Sequence, residues 1–148
     1  YNMTMADEHI EPLTIPASTL YLQTVRSYIL QHIGMLDFNE FEENGIVLAV
    51  DEAVSNLIRH AYRGDDTKKI SITLSVDDDE VQVEICDTAD AFDPASAESP
   101  DMRQYFIDRR RGGLGILLMT RVMDTITYKP AAVGDRVNTL TLTKRRRS

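Results

Sequence analysis

Cysteine is almost missing from this chain of 148 residues: Cys86 stands alone, so no internal disulfide can form. It falls in the strand-like run VQVEIC, where a buried and unreactive thiol is expected. Long apolar runs are missing as well. Nothing approaches the ~18 consecutive nonpolar residues that cross a bilayer, and no secretory leader is visible. A reducing, cytoplasmic setting with no membrane insertion is the expectation. Positive charge is in short supply, with 16 Lys and Arg against 24 Asp and Glu and a net charge of -8. That balance argues against general nucleic-acid binding, which needs a positive field to neutralise phosphates. The run KRRR at 144–147 is the exception, and at the end of the chain it reads as a solvated tail.

The marks of several common sites are absent too. His60 has no second His or Cys at zinc spacing. The acidic run at 77–80 has neither the central glycine nor the spacing of a calcium loop, so it reads as a hairpin tip. No Gly-Lys-Ser/Thr follows the glycines at 112–115, which removes a Walker loop, and their spacing and the missing preceding strand remove the dinucleotide fingerprint.

What is present suffices for a core: 43% of residues are hydrophobic and 27% are charged. One domain is expected over residues 11–144. Residues 1–10 are patternless, expected to be disordered or an addition to the natural chain, and a basic tail follows at 145–148. Residues 11–15 suit a short edge strand, because Pro12 and Pro16 cannot donate to a central ladder. Ser18 or Thr19 can cap a helix reaching about residue 36, with Leu22, Val25, Ile29 and Ile33 at helical spacing. Asn39 followed by Glu42 resembles a capping box opening a second helix that runs to about residue 62. Alternation over 70–76 and again over 81–85 predicts a hairpin, and 125–129 with 137–143 predicts another. Residues 92–111 form a long polar segment punctuated by Pro94 and Pro100, and residues 113–123 a third helix with a glycine-rich start. The pattern predicts an α+β fold, with helices on one face of a mixed, mostly antiparallel sheet.

Three features carry chemistry. On the second helix, about 100° per residue sets Val50, Ala53, Val54, Leu57 and Ala61 on one face, with Glu52, Asn56, Arg59 and Arg63 on the opposite arc. Glu52 and Asn56 are four apart and hence neighbours, roughly 5–6 Å apart at Cβ. A carboxylate and an amide oxygen so placed can hold a hard cation and orient a nucleophile beside it, although the same spacing also suits an ordinary wet helix face. Asp87 directly follows a strand, where it could accept from the exocyclic amine of adenine and repel the carbonyl guanine carries there; Asp87, Asp90 and Asp93 also suit plain turns. Gly112, Gly113 and Gly115 open an apolar helix whose bare N–H groups and dipole suit a phosphate, and Arg109, Arg110 and Arg111 precede them.

The order of these three features resembles the GHKL ATPases (gyrase, the ninety-kilodalton heat-shock chaperone, histidine kinases, mismatch-repair MutL). Within them it is closest to the anti-sigma-factor serine/threonine kinases of bacterial stress and sporulation switches. The similarity spans about residues 13–144. It rests on LAVDEAVSNLIRHAY, close to that subgroup's N-box, and on DTADAFDP and GGLGILLMTRVMD, which match the next two nucleotide boxes in order and spacing. The resemblance implies a two-layer α/β sandwich of the Bergerat ATP-binding type, with ATP and Mg²⁺ as cofactors. It implies Asn56 as the magnesium ligand, Glu52 as catalytic base toward a serine hydroxyl, and Asp87 at the adenine amine beside Ala89. Arg111, Gly112, Gly113, Leu114 and Gly115 would lie along the phosphates, residues 92–111 would be a lid, and Thr139 would support the adenine side. The implied activity is a protein serine/threonine kinase that phosphorylates an antagonist protein and sequesters a sigma factor. Its implied partners are that sigma factor and a STAS-type anti-anti-sigma antagonist, with self-association as a family expectation.

One departure from the family pattern concerns the second box, where glycine is usual and this chain has Ala89 and Ala91. If φ must be positive there, alanine costs about 1 kcal/mol, roughly fivefold in affinity. Two other readings therefore stand beside the kinase: a partner-switching regulator that binds ATP weakly or not at all, and the catalytic domain of a histidine kinase. Against the latter, 148 residues leave no room for a dimerising hairpin with its phosphoacceptor histidine.

Overall fold

The computed structural model describes residues 10–61, 66–87, 121–129 and 137–146. Strand β1 (Leu13–Pro16) leads to helices α1 (Leu22–Ile33) and α2 (Glu40–Asn56), and α2 continues as a π-helical turn over Leu57–Ala61. Strands β2 (Lys69–Val76), β3 (Glu80–Asp87), β4 (Thr125–Lys129) and β5 (Asn138–Arg145) complete the described elements.

Local chemistry accounts for the starts and stops. The Ser18 hydroxyl accepts from the Leu20 N–H at 3.3 Å and caps a short 3-10 turn that runs into α1. Helix α1 buries the expected stripe of Leu22, Val25, Ile29 and Ile33, and stops at Gly34, two residues short of the expected end. The Tyr28 hydroxyl donates to the Glu11 carbonyl at 2.8 Å, and burial first of all pushes its pKa up, so it remains a donor at neutral pH. At the head of α2 the capping box forms in full: Asn39 Oδ1 accepts from the Glu42 N–H at 2.8 Å, and Glu42 Oε1 accepts from the Asn39 N–H at 3.3 Å. Between β2 and β3, the Asp77 carboxylate accepts from the N–H groups of Asp79 and Glu80 at 2.8 and 2.7 Å. The acidic run is thus a hairpin tip held by its own side chain.

The five strands lie in the order β1-β2-β3-β5-β4, and every pairing among the described residues is antiparallel. The expected mixed character is not seen in them. Pro16 sits on the edge strand β1, where its missing N–H costs no ladder bond. Strict alternation sends Ile70, Ile72, Leu74, Val81, Val83, Ile85, Leu140 and Leu142 into one core with the buried faces of α1 and α2. Residues 121–122 are helical and mark the end of the predicted third helix. A Cβ placed on Gly45 would lie 2.7 Å from Val122 Cγ2, so glycine in α2 lets that segment seat directly on the helix. The remainder of the third helix and the whole of the expected lid, residues 92–111, lie outside the described residues.

The basic end of the chain departs from expectation. Lys144 and Arg145 belong to β5, which runs to Arg145 rather than fraying after residue 143. The Arg146 N–H donates to the Asp79 carbonyl at 2.7 Å, and its guanidinium lies 3.6 Å from the Asp37 carboxylate. Backbone carbonyls of the hairpin tip and the Asp37 carboxylate between the helices thus hold Arg146 on the domain.

Candidate functional site

Helix α2 carries two of the predicted site residues. Glu52 is half-buried, and Asn56, one turn further on, is buried with 8% of its surface exposed. The expected wet arc does not exist at this level of the helix: from Ala49 to Ile58 no residue is exposed. Arg59 does reach solvent, while Arg63 and the side chain of His60 lie outside the described residues. Helical periodicity missed this burial because it weighs only the residues of α2. Val122, packed on the same helix at Gly45, comes from a segment far along the chain.

The burial of Asn56 has a chemical consequence. Its Nδ2 is buried with no hydrogen-bond partner among the described residues. Leaving a buried donor unmade costs about 1–3 kcal/mol, and such groups in native proteins call for a reason. The helix also changes its winding directly after Asn56, passing into the π-helical turn over Leu57–Ala61. Turns of this kind are rare and frequently mark functional sites. On the other flank, the Arg26 Nη1 donates to Asp51 Oδ1 at 2.6 Å and ties α2 to α1 one residue before Glu52.

Asp87 ends β3, the central strand, opposite Ile70 of β2 and Asn138 of β5. It lies on the helix-facing side in register with Val81, Val83 and Ile85, and only 4% of it is exposed. A carboxylate buried that deeply needs donors, and Asn138 Nδ2 supplies one to Asp87 Oδ1 at 3.0 Å. Asn138 is itself buried, with 1% exposed.

Thr139 does not stand where it was expected. It pairs with Cys86 and points to the opposite face of the sheet, where its hydroxyl lies 3.8 Å from the Cys86 thiol. In a strand, neighbouring residues face opposite ways, so Thr139 cannot share a face with Asp87. Asn138 takes that position. The signal was there to be read: Leu140 and Leu142 are the apolar residues of β5, and counting back by two from them reaches Asn138. Cys86 is half-buried rather than sealed in the core.

Ala89, Arg111, Gly112, Gly113, Leu114 and Gly115 lie outside the described residues. Among those described, no group of three or more His, Cys, Asp and Glu could hold a metal ion. A hard cation here would have to be shared between one or two protein oxygens, water and the oxygens of a bound phosphate, the usual habit of Mg²⁺. The amide of Asn56 suits that division, with Oδ1 for the cation and the unmatched Nδ2 for an acceptor oxygen. No helix among the described residues is long and apolar enough to cross a membrane.

Comparison with known proteins bears on the fold and the family. A family model described as a histidine kinase-like ATPase domain matches residues 15–144. The chain is similar to serine/threonine-protein kinase BtrW of Bordetella bronchiseptica, with 33% identity over 132 residues that cover 88% of this chain and 89% of that protein. It is also similar to serine-protein kinase RsbW of Bacillus licheniformis, with 27% identity over 128 residues, covering 84% and 79% respectively. A crystal structure of the RsbU and RsbW domains of a Mycobacterium tuberculosis protein shares the fold at a TM-score of 0.57 and 19% identity. That likeness covers 94% of this chain, which spans only 34% of the longer one.

Proposed function

The chain belongs to the histidine kinase-like ATPase family, and from that premise we propose that it is a protein serine/threonine kinase. It transfers the terminal phosphoryl group of ATP to a serine or threonine hydroxyl of an antagonist protein. Relatives of nearly equal length bear the names serine/threonine-protein kinase and serine-protein kinase, which supports this reaction class. The single observation that carries the reading is Asn56: a buried amide with an unmatched donor, one turn from a half-buried carboxylate.

Each residue then has a task. The Glu52 carboxylate takes the proton from the attacking hydroxyl, so that its oxygen bonds to the terminal phosphorus as the bond from that phosphorus to the bridging oxygen breaks and ADP leaves. Asn56 Oδ1 would hold Mg²⁺, and Nδ2 would donate to a phosphate oxygen. When bound, the magnesium ion supplies positive charge that offsets the charge on the phosphate oxygens. Asp87 accepts from the exocyclic amine of adenine. Gly112, Gly113 and Gly115, with Leu114 between them, would offer backbone N–H groups to the phosphates, and Arg111 a cation near the terminal one. Ala89 would line the base. Because catalysis of phosphoryl transfer is mostly positioning and electrostatics, this small set of groups is sufficient. The setting is a partner switch in which the chain alternates between a sigma factor and a STAS-type antagonist, in the cytoplasm.

Incubation with γ-labelled ATP, Mg²⁺ and candidate antagonist proteins tests the proposal. Wild type should label a serine or threonine of the partner. Glu52→Ala should lower the transfer rate by about 10²–10⁴-fold, the usual contribution of a general base, with nucleotide affinity unchanged. Equal transfer by the variant would remove Glu52 from the mechanism.

A further inference from the structure

Single apolar side chains at a protein surface are ordinary, but two on α2 share a direction with Glu52. Phe41 is 78% exposed and Leu48 49%. At about 100° per residue, Phe41, Leu48 and Glu52 fall within about 40° of one another and form one line along the helix. Leu48 stands about 6 Å along the axis from Glu52, and Phe41 about 10 Å further out. Leu30, 42% exposed, lies one turn from Arg26 on α1, and the Arg26–Asp51 pair holds that part of α1 against α2. We propose that this line is a docking strip for the protein substrate of the kinase reaction. The substrate lays an apolar segment with a Lys or Arg at its outer end along α2, and so brings its serine or threonine to Glu52. The inference rests on the kinase reading above and deepens it by naming what the substrate must present.

Folding gives no reason for the strip. Phe41 and Leu48 belong neither to the buried core nor to the capping box at the head of α2. Covering them removes apolar surface from water, which favours association. Size separates the occupants that could do so. A stable interface between copies buries about 800 Å² on each partner, and three partly exposed side chains supply only a fraction of that. The strip suits a transient partner, which a substrate must be if it is to leave after reaction. Charge narrows the choice further. Glu40, in the first turn beside Phe41, is exposed and makes no ion pair among the described residues, whereas Asp51 is already held by Arg26. A Lys or Arg of the partner over Glu40 meets its opposite there, and the net charge of -8 steers a basic segment toward the domain. Two apolar side chains about 10 Å apart then seat on Phe41 and Leu48, an i, i+7 pair of helical anchors. Contacts this far from the reacting atoms fix where the hydroxyl stands relative to Glu52.

The experiment takes the STAS-type protein that wild type labels from γ-labelled ATP and measures kcat and KM for it. The full chain is compared as wild type, Glu40→Lys, the double variant Phe41→Ala with Leu48→Ala, and Leu20→Ala. Leu20 is 86% exposed but sits in the turn before α1, off the strip, so its variant should match wild type. The double variant should raise KM for the protein substrate about tenfold or more, the worth of truncating two interface anchors. Its kcat, its KM for ATP and its melting temperature should stay at the wild-type values. Glu40→Lys should raise the same KM at low salt and flatten its dependence on salt. If transfer proceeds and the double variant keeps the wild-type KM, or Leu20→Ala raises it equally, the strip is overturned and the kinase reading stands. Sedimentation showing a dimeric wild type and a monomeric double variant at unchanged KM would assign the strip to a second copy of the chain, which also overturns the proposal. If wild type labels no STAS-type protein, the kinase reading and the strip fall together.

Discussion

Helices α1 and α2 pack against each other over one sheet, joined by the Arg26–Asp51 ion pair, yet they divide their surfaces differently. Helix α1 buries four apolar residues at regular spacing and turns most of its polar residues to solvent. Helix α2 buries Ser55 and Asn56 along with most of its apolar residues, and no position from Ala49 to Ile58 is exposed. The first is what folding alone asks of a helix. The second accepts buried polar groups that folding would not choose, and a helix that does so carries chemistry.

That contrast can be broken by substitution. The largest effect should come from α1: Ile29 is fully buried, and Ile29→Ala should cost about 2–5 kcal/mol in denaturant unfolding. Next is Gly45→Ala in α2, where the added methyl would meet Val122; overpacking of this kind costs about 1–3 kcal/mol. Because Val122 lies at the end of the helix that the sequence predicts from the glycine-rich run, nucleotide affinity should fall as well, which it should not for Ile29→Ala in the folded protein. Asn39→Ala removes the capping box and should cost about 1 kcal/mol by thermal melting. Arg26→Ala breaks the half-exposed link between the helices and should cost under about 1 kcal/mol, less at high salt. Asn56→Leu should cost nothing measurable, or stabilise, since it deletes a buried donor without a partner. A loss comparable to that of Ile29→Ala would make Asn56 a structural residue and erase the contrast.

The parts of the molecule that could be read beforehand are those whose causes are local. The stripe of α1, the Asn39–Glu42 box and the hairpin turned by Asp77 each depend on residues a few positions apart, and each forms where expected. The burial of Asn56 depends on what packs over α2 from elsewhere in the chain, and helical periodicity, which weighs only the helix itself, read it as the opposite. The pairing of Asp87 with Asn138 is an instructive miss. A family pattern pointed to Thr139, while simple alternation from Leu142 and Leu140 pointed one residue earlier, and a shift of one residue in a strand exchanges its faces. Lys144 and Arg145 continue β5 although the basic run reads as a tail, because charge alone says nothing about whether a strand continues through it.

The most direct test of the account is titration of ADP into wild type and Asn56→Leu, each with and without Mg²⁺. Wild type should bind more tightly with Mg²⁺ present, and Asn56→Leu should lose that dependence while melting no lower than wild type. Equal magnesium dependence in the two proteins would contradict the claim that this buried amide exists to hold the cation and the nucleotide.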